Sequence, residues 1–213
     1  MKILQKLSLS KIEGHFESRM DTRKKALLLR ERGQVDEFVN LVLGISDPSG
    51  NYSAATHGIG KLVLSENMLA AKQVANLARL LEACAKGHKA PEIIWAAAIK
   101  YIKISVGSEI GMMMNPGKIW VTNEKSVWAT LLLKHRGEVE LANEELALYR
   151  GDDVNSEMAY EKWASLHRDE VGKGMELLLE RSREAIPNLP AAEGAGFLLA
   201  DAIAYKLFER CAA

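Results

Sequence analysis

The fold of this chain is decided by residues 91–136, which read PEIIWAAAIKYIKISVGSEIGMMMNPGKIWVTNEKSVWATLLLKHR. The first part, residues 91–106, is apolar on nearly every helical face, and only Glu92, Lys100 and Lys103 interrupt it. A helix that is apolar all round is a buried one. This one is too short to span a bilayer, which needs about 20 apolar residues. The sequence therefore predicts the central core helix of a soluble domain.

The middle of the same stretch predicts a small β-hairpin over residues 111–121. Its turn is Asn115-Pro116-Gly117, and proline followed by glycine suits a type II turn because proline presets φ and glycine accepts φ > 0. Short apolar runs lie on both sides of the turn. After the hairpin, Thr122 or Asn123 caps a helix that runs to about Lys134.

The remaining chain alternates helical periodicity with glycine and proline breakers. Further helices are predicted at about 21–32, 35–43, 65–85, 138–149, 155–183 and 191–210. Gly172 and Gly174 weaken the middle of the helix over 155–183, where a kink or a break is expected. The predicted fold is mainly α, a multi-helical globular bundle of about seven to nine helices with one small β-hairpin.

The domain organisation depends on residues 44–62, the longest segment rich in helix breakers. Loops of this length inside compact domains are usually functional or disordered. One division gives a basic helical segment with a long Gly/Ser-rich loop over 1–62 and a helical core domain over 63–213. The alternative is a single domain.

Charge and cysteine content narrow the class of protein. The chain has 28 Lys and Arg against 28 Asp and Glu, so no global charge attracts nucleic acid or a membrane. Residues 1–34 are basic, with nine Lys and Arg against four Asp and Glu. Two cysteines, Cys84 and Cys211, do not make a disulfide framework. Because the N-terminus also lacks the apolar run of a signal peptide, we expect a cytoplasmic protein without a membrane partner.

Candidate catalytic residues are acids and histidines in apolar surroundings: Glu109, Asp201, His167 and, in the long loop, His57. A carboxylate in a low dielectric has its pKa raised unless it is paired, which is how acid–base catalysts are made. The alternative is structural, with the acids paired or capping helices and His167 a hydrogen-bonded core residue. Nothing in the spacing requires these residues to converge. If they do converge, the sequence predicts a hydrolase-like or lyase-like site near the 44–62 loop.

Metal and cofactor motifs are missing from the sequence. It contains no His-x-x-x-His or Cys-x-x-Cys pair of the kind that binds zinc. The run Gly58-Ile59-Gly60-Lys61 invites a phosphate-loop interpretation, but Ala55 replaces the first glycine and Leu62 replaces the Ser or Thr. We therefore predict no cofactor and no metal.

Two surfaces are candidates for macromolecular contact. One is the basic run Arg19, Arg23, Lys24, Lys25, Arg30 and Arg32, which would suit a phosphate backbone and is equally explained as a solvated helix face. The other comprises Met112, Met113 and Met114 with Trp120. Methionines are adaptable and would suit a protein partner if exposed; if buried they are core.

These features rank three functions. The first is a cytoplasmic helical binding or regulatory protein that acts on a protein partner or by self-association as a homo-oligomer. The second is a nucleic-acid-associated regulatory protein that uses the basic N-terminal helix. The third is the acid–base enzyme with a pocket near residues 44–62; no small-molecule ligand is specified by the sequence.

Overall fold

The computed structural model describes residues 3–150 and 157–211, and these fold into helices joined by short connections. The helices are α1 (Leu9–Glu31), α2 (Val35–Val42), α3 (Tyr52–Thr56), α4 (Ile59–Glu66), α5 (Ala70–Glu82), α6 (Ala90–Ala96), α7 (Ile104–Met114), α8 (Glu124–Lys134), α9 (Val139–Arg150), α10 (Glu157–Leu166), α11 (Gly172–Ala185) and α12 (Gly196–Cys211). Single 3-10 turns lie at Leu4–Lys6, Pro48–Gly50 and Gly87–Lys89. A π turn, His167–Val171, joins α10 to α11 without a break.

The mainly helical class is confirmed, with slightly more helices than expected. Counting α10 and α11 as one continuous helix gives eleven in the described parts of the chain. The additional helices are short. α3 and α4 occupy much of residues 44–62, where the sequence predicts a loop. The predicted start of the helix over 155–183 lies outside the described residues.

The predicted β-hairpin over residues 111–121 is wrong: no strand occurs in the described chain, and Met112–Met114 form the last turn of α7. A short apolar run fits a buried helix end as well as a buried strand, so periodicity alone does not separate the two. The side-chain amide of Asn115 donates to the carbonyls of Glu82, at 2.9 Å, and Cys84, at 3.1 Å. The Asn-Pro-Gly turn is therefore held by the end of α5 rather than by a paired strand.

The predicted central helix is also interrupted. α6 ends at Ala96 and α7 begins at Ile104, and Ala98 (φ 50°) and Tyr101 (φ 70°) adopt left-handed backbone between them. The side chain of Asn67 accepts a hydrogen bond from the Lys100 amide at 2.9 Å and donates one to the Lys100 carbonyl at 3.3 Å. This long-range contact replaces hydrogen bonds that a continuous helix would make.

α8 begins where the sequence predicts. The Asn123 side chain accepts hydrogen bonds from the amides of Lys125 and Ser126, both at 3.1 Å. The Ser126 hydroxyl accepts one from the Asn123 amide at 3.0 Å, which completes a capping box. The cap fixes the position of Lys125 in the first turn of α8.

Two adjoining apolar clusters form the core. The first is built mainly from α8, α11 and α12, and the second mainly from α2, α5, α6 and α7. α1 contributes to both, with Ile12 and Phe16 in the first cluster and Ala26 in the second. The division at residue 62 stays a prediction, although residues before and after it share both clusters. None of the described helices combines the length and the apolar character that crossing a membrane requires.

Candidate functional site

The inward face of α1 carries polar side chains among its apolar ones. Its buried residues recur at helical spacing: Ile12, His15, Phe16, Arg19, Thr22 and Ala26. Arg19 is completely buried, with 0% of its surface exposed. An isolated buried cation is strongly disfavoured unless it is paired. The groups that surround Arg19 therefore determine which ligands and reactions this site could support.

Arg19 uses one half of its guanidinium group. Its Nη1 donates to the Ser49 carbonyl at 2.7 Å and to Oε1 of Glu109 at 2.9 Å. Its Nε and Nη2 are buried and have no hydrogen-bond partner among the described residues, and Nη2 lies 3.8 Å from Oδ2 of Asp201. Nε and Nη2 share one edge of the planar group, which can bind a carboxylate or phosphate by two parallel hydrogen bonds. This edge forms no hydrogen bond, and its nearest charged neighbour is the Asp201 carboxylate.

Glu109, by contrast, is saturated. Besides Arg19, its carboxylate accepts hydrogen bonds from the Tyr52 amide at 2.8 Å, the Ser53 amide at 3.0 Å and the Ser53 hydroxyl at 2.6 Å. The first turn of α3 is thereby attached to α7. Glu109 consequently holds Arg19 and the first turn of α3 in place, and its carboxylate oxygens have little hydrogen-bonding capacity left for a ligand.

Asp201, on α12, is the titratable acid of the cluster. Its side chain is 5% exposed, and the pKa of Asp201 is raised to about 6, chiefly by burial. The charge of Arg19 acts against this rise, Glu109 adds to it, and Lys125 opposes it. Burial also lowers the pKa of Lys125. A carboxyl group with a pKa close to neutrality can both give and take a proton under physiological conditions.

Three aromatic rings stand beside Arg19. The rings of His15, Tyr52 and Tyr205 lie with centroids 4.5–5.5 Å apart. Cζ of Arg19 is 5.2 Å from the centroid of Tyr52, and Nζ of Lys125 is 3.6 Å from that of Tyr205. Both tyrosines are partly exposed, so they form the side of the cluster that faces solvent.

His15 is a neutral member of this cluster. Burial, followed by the charges of Arg19, Lys206 and Lys125, lowers the pKa of His15 to about 3. Its Nε2 is buried and has no hydrogen-bond partner in residues 3–150 and 157–211. We call the whole cluster the Arg19 site: Arg19, Glu109, Asp201, His15, Tyr52, Tyr205 and Lys125.

His167 lies in a different network. Its Nε2 is 3.0 Å from the Gly87 carbonyl, which only accepts, so Nε2 carries the proton. Nδ1 then accepts from the Thr122 hydroxyl at 2.8 Å, and the ring stacks on Trp120 with centroids 4.8 Å apart. Burial lowers the pKa of His167 to about 4. With both nitrogens satisfied, His167 matches the structural alternative, a hydrogen-bonded core histidine.

The four candidate catalytic residues therefore lie in three different parts of the structure. Glu109 and Asp201 meet on Arg19, whereas His167 is bonded to Gly87 and Thr122. His57 is exposed at the end of α3. The convergence that the sequence left open thus involves two of the four residues, together with Ser49, Tyr52 and Ser53 from the 44–62 segment.

The predicted basic surface is divided between the interior and the solvent. Arg19 is in the core, Arg23 is partly buried, and Arg30 forms two hydrogen bonds to Glu82, at 2.5 and 2.9 Å. The exposed members of the run are Lys24, Lys25 and Arg32. Arg19 is unable to contact a phosphate backbone, because the face of α1 that it shares with Arg23 and Arg30 packs against other helices.

The predicted partner surface is not on the surface. Met112, Met113 and Met114 are buried, because α7 lies between the two apolar clusters. Trp120 is partly buried and packs against His167 and Phe197. A protein partner therefore has no access to the three methionines, which are core residues.

Sequence reasoning missed His15, Tyr52, Lys125 and Tyr205, and it assigned Arg19 to the outside. A usable signal existed: His15 and Arg19 are one helical turn apart and in register with Ile12 and Ala26. Polar residues at the apolar positions of a helix indicate a buried polar site. Nothing comparable marks Tyr52 or Lys125.

Neither a metal site nor a similarity to known proteins indicates another function for this chain. Within the described residues, no three His, Cys, Asp or Glu side chains are grouped so that they could hold a metal ion. No protein family, curated protein or solved structure matches this chain.

Proposed function

We propose that this protein is an acid–base enzyme, of the hydrolase or lyase type, for a small substrate that carries a carboxylate or phosphate group. The observation that supports it is the Nε–Nη2 edge of the buried Arg19, which forms no hydrogen bond in the described chain and has Asp201 beside it. Each buried donor without a partner costs about 1–3 kcal/mol. An anionic group bound to this edge would satisfy both donors at once.

Charge favours the same occupant. Glu109 is committed to Arg19, Tyr52 and Ser53, so it neutralises Arg19 without competing for the free edge. When Asp201 is protonated, the charges of Arg19, Lys125 and Glu109 give the Arg19 site a net charge of +1. An anion that binds there raises the pKa of Asp201 further, because like charges disfavour ionisation. Binding of the substrate would thus favour the protonated form of Asp201.

Asp201 would then carry the chemistry. In the substrate complex the protonated Asp201 donates its proton to the leaving group as the bond to that group breaks. The Asp201 carboxylate then takes up the proton lost by the water that adds to the substrate or, in an elimination, the proton lost by the carbon next to the broken bond as the double bond forms. This restores the starting state. Arg19 would hold the substrate's anionic group by two hydrogen bonds, and the partly exposed Tyr52 and Tyr205 lie on the side of the site that faces solvent.

The other two functions stay predictions and now lack their expected surfaces. Self-association or a protein partner cannot use Met112–Met114, which are buried. Nucleic-acid contact is restricted to the exposed Lys24, Lys25 and Arg32 within the basic run. Heparin retention lost in moderate salt is the measurement that would support it.

The test of the proposal is turnover of chromogenic anions by the wild-type protein and by Asp201→Asn. The substrates are p-nitrophenyl phosphate, bis(p-nitrophenyl) phosphate and mono-p-nitrophenyl succinate, with the uncharged p-nitrophenyl acetate for comparison. We expect an anionic substrate to be preferred and kcat/KM to fall about 10²–10⁴-fold in Asp201→Asn, the range for loss of a general acid or base.

The control variant is Asp36→Asn, an exposed acid on α2, which should retain wild-type turnover. Inorganic phosphate or succinate should also raise the melting temperature of the wild type, and this shift should disappear in Arg19→Lys, which lacks the paired donors. The proposal fails if folded Asp201→Asn turns over every substrate as the wild type does, or if no anion is bound or turned over.

A further inference from the structure

A groove runs along the outer side of α5, beside the C-terminal end of α1 and away from the Arg19 site. Arg30 is eleven residues beyond Arg19, about 16 Å along the helix. Here α1, α2 and α5 enclose a cavity of about 650 Å³, whose lining includes Arg30, Val35, Phe38, Leu69, Lys72 and Arg79. A neighbouring cavity of about 450 Å³ shares Gln73 and Asn76 with it. We call the two together the α5 groove.

The α5 groove presents apolar side chains to solvent. Leu69 is 72% exposed and Val35 is 42% exposed, and Met68, next to the groove, is 87% exposed. Leu69 also has φ 56°, in the left-handed region that a leucine rarely adopts. The backbone at the start of α5 is thus strained while holding a large apolar side chain in water. Strained positions of this kind cluster at binding sites.

Positive charge surrounds this apolar strip. Lys72 and Arg79 are exposed on α5, and Arg30 is paired with Glu82. Arg23 lies close enough to feel the charges of both Arg30 and Glu82. Its Nε is buried without a hydrogen-bond partner in the described parts of the chain. Three cations, Arg30, Lys72 and Arg79, line the groove against two carboxylates, Glu82 in the first cavity and Glu92 in the second. Because Arg30 is paired with Glu82, the exposed Lys72 and Arg79 are the cations on α5 that suit an acidic occupant.

The length of the groove fits a short helix. Its floor is one face of α5 together with the preceding residue, where residues 69, 72, 73, 76, 79 and 80 are exposed. α5 has 13 residues, about 20 Å of groove floor. A helix laid in such a groove is anchored by apolar residues at positions i, i+3 or i+4, and i+7.

We propose that the α5 groove binds an acidic amphipathic helix of a protein partner, two to three turns long. Its apolar face lies on Leu69, Val35 and Leu80, and its Asp and Glu side chains pair with Lys72 and Arg79. The surface is separate from the Arg19 site, so the proposal does not depend on the enzymatic function.

The experiment is a selection of peptides on the immobilised full-length protein. The probe is a display library of random 16-residue peptides, and the selected sequences are resynthesised for affinity measurement. We expect an excess of Asp and Glu and apolar residues repeated every three or four positions. Binding should weaken at least tenfold in Lys72→Glu/Arg79→Glu and should also weaken as salt is raised.

The matched control is Lys118→Glu/Lys173→Glu, which makes the same charge change at two exposed lysines outside the groove. It should leave the affinity unchanged, and circular dichroism should show both double variants folded. Selected peptides that are basic, or acidic peptides insensitive to Lys72→Glu/Arg79→Glu, would overturn the proposal. The proposal would also be overturned if no peptide were selected. Binding of a single-stranded oligonucleotide to the groove in place of a peptide would be one such result.

Discussion

Arg19 and Glu109 form an ion pair with almost no solvent around it: Arg19 is fully buried, and the Glu109 side chain is 1% exposed. Removing two charges from water is costly, and the pair is stable here because Glu109 also receives hydrogen bonds from α3. A buried pair of this kind contributes little net stability compared with apolar residues of the same size. Losing one partner, however, leaves an uncompensated buried charge.

At the residue scale we predict that Arg19→Met lowers the free energy of unfolding by about 3–5 kcal/mol, because Glu109 is left buried and charged. Urea unfolding at pH 7 measures the change. Lys24→Met, at an exposed position on the same helix, should change it by less than about 0.5 kcal/mol. Equal effects of the two substitutions would show that the ion pair is not a buried one.

Helix packing depends on glycine where α11 meets α8. A Cβ atom added at Gly174 would lie 2.4 Å from Oγ1 of Thr130, and the nearest other atoms belong to the same side chain. Thr130 is itself held by a hydrogen bond to the Ser126 carbonyl at 2.9 Å. Gly14, within α1, has no neighbouring atom within 4 Å of an added Cβ. Substituting alanine at each of the two glycines therefore distinguishes the effect of packing from that of helix propensity.

At the element scale we predict opposite effects of the same substitution. Gly174→Ala should lower the free energy of unfolding by about 1–3 kcal/mol, because the new methyl group overpacks the contact with Thr130. Gly14→Ala should raise it by about 0.5–1 kcal/mol, since alanine favours the helix and meets nothing. Denaturant unfolding of both variants measures the difference. If Gly174→Ala were as stabilising as Gly14→Ala, the close contact between α8 and α11 would be wrong.

For the molecule as a whole, three buried groups make the largest contributions to the dependence of stability on pH near pH 5. His15 and His167 have pKa values of about 3 and about 4 when folded, against 6.5 as the ordinary value. They bind fewer protons in the folded state, so their contribution is present above pH 6.5 and is lost as the pH falls. Asp201 has a pKa of about 6 against 3.8. It binds more protons when folded, so its contribution is lost as the pH rises from 3.8 to 6.

We therefore predict that the unfolded state binds about one proton more than the folded state near pH 5, two from the histidines less one from Asp201. The free energy of unfolding should rise by about 1.4 kcal/mol per pH unit there. In Asp201→Asn, which removes the opposing group, the slope should be about twice as steep. Denaturant unfolding at pH 4.5, 5.0 and 5.5 measures both slopes. A wild-type stability that falls with pH, or an unchanged slope in Asp201→Asn, would contradict the prediction.

The sequence alone determined the helical class and the start of α8. The predicted burial of residues 91–106 is correct only in part, because Trp95, Ala96 and Ala98 are exposed. The sequence also singled out Glu109 and Asp201, because a carboxylate framed by apolar residues is visible without a structure. These features depend on neighbours within about four residues, and periodicity and capping report such local interactions.

Only the tertiary structure decided which polar residues lie inside and which partners they have. Arg19 contacts Glu109, 90 residues away, and Asp201, on the last helix. The break between α6 and α7 depends on Asn67, 33 residues before Lys100. Met112–Met114 became core rather than surface because two apolar clusters close around α7. The reason is physical: burial of a charge, a strained turn or a helix end is stabilised by groups that are distant in sequence, and local patterns carry no record of them.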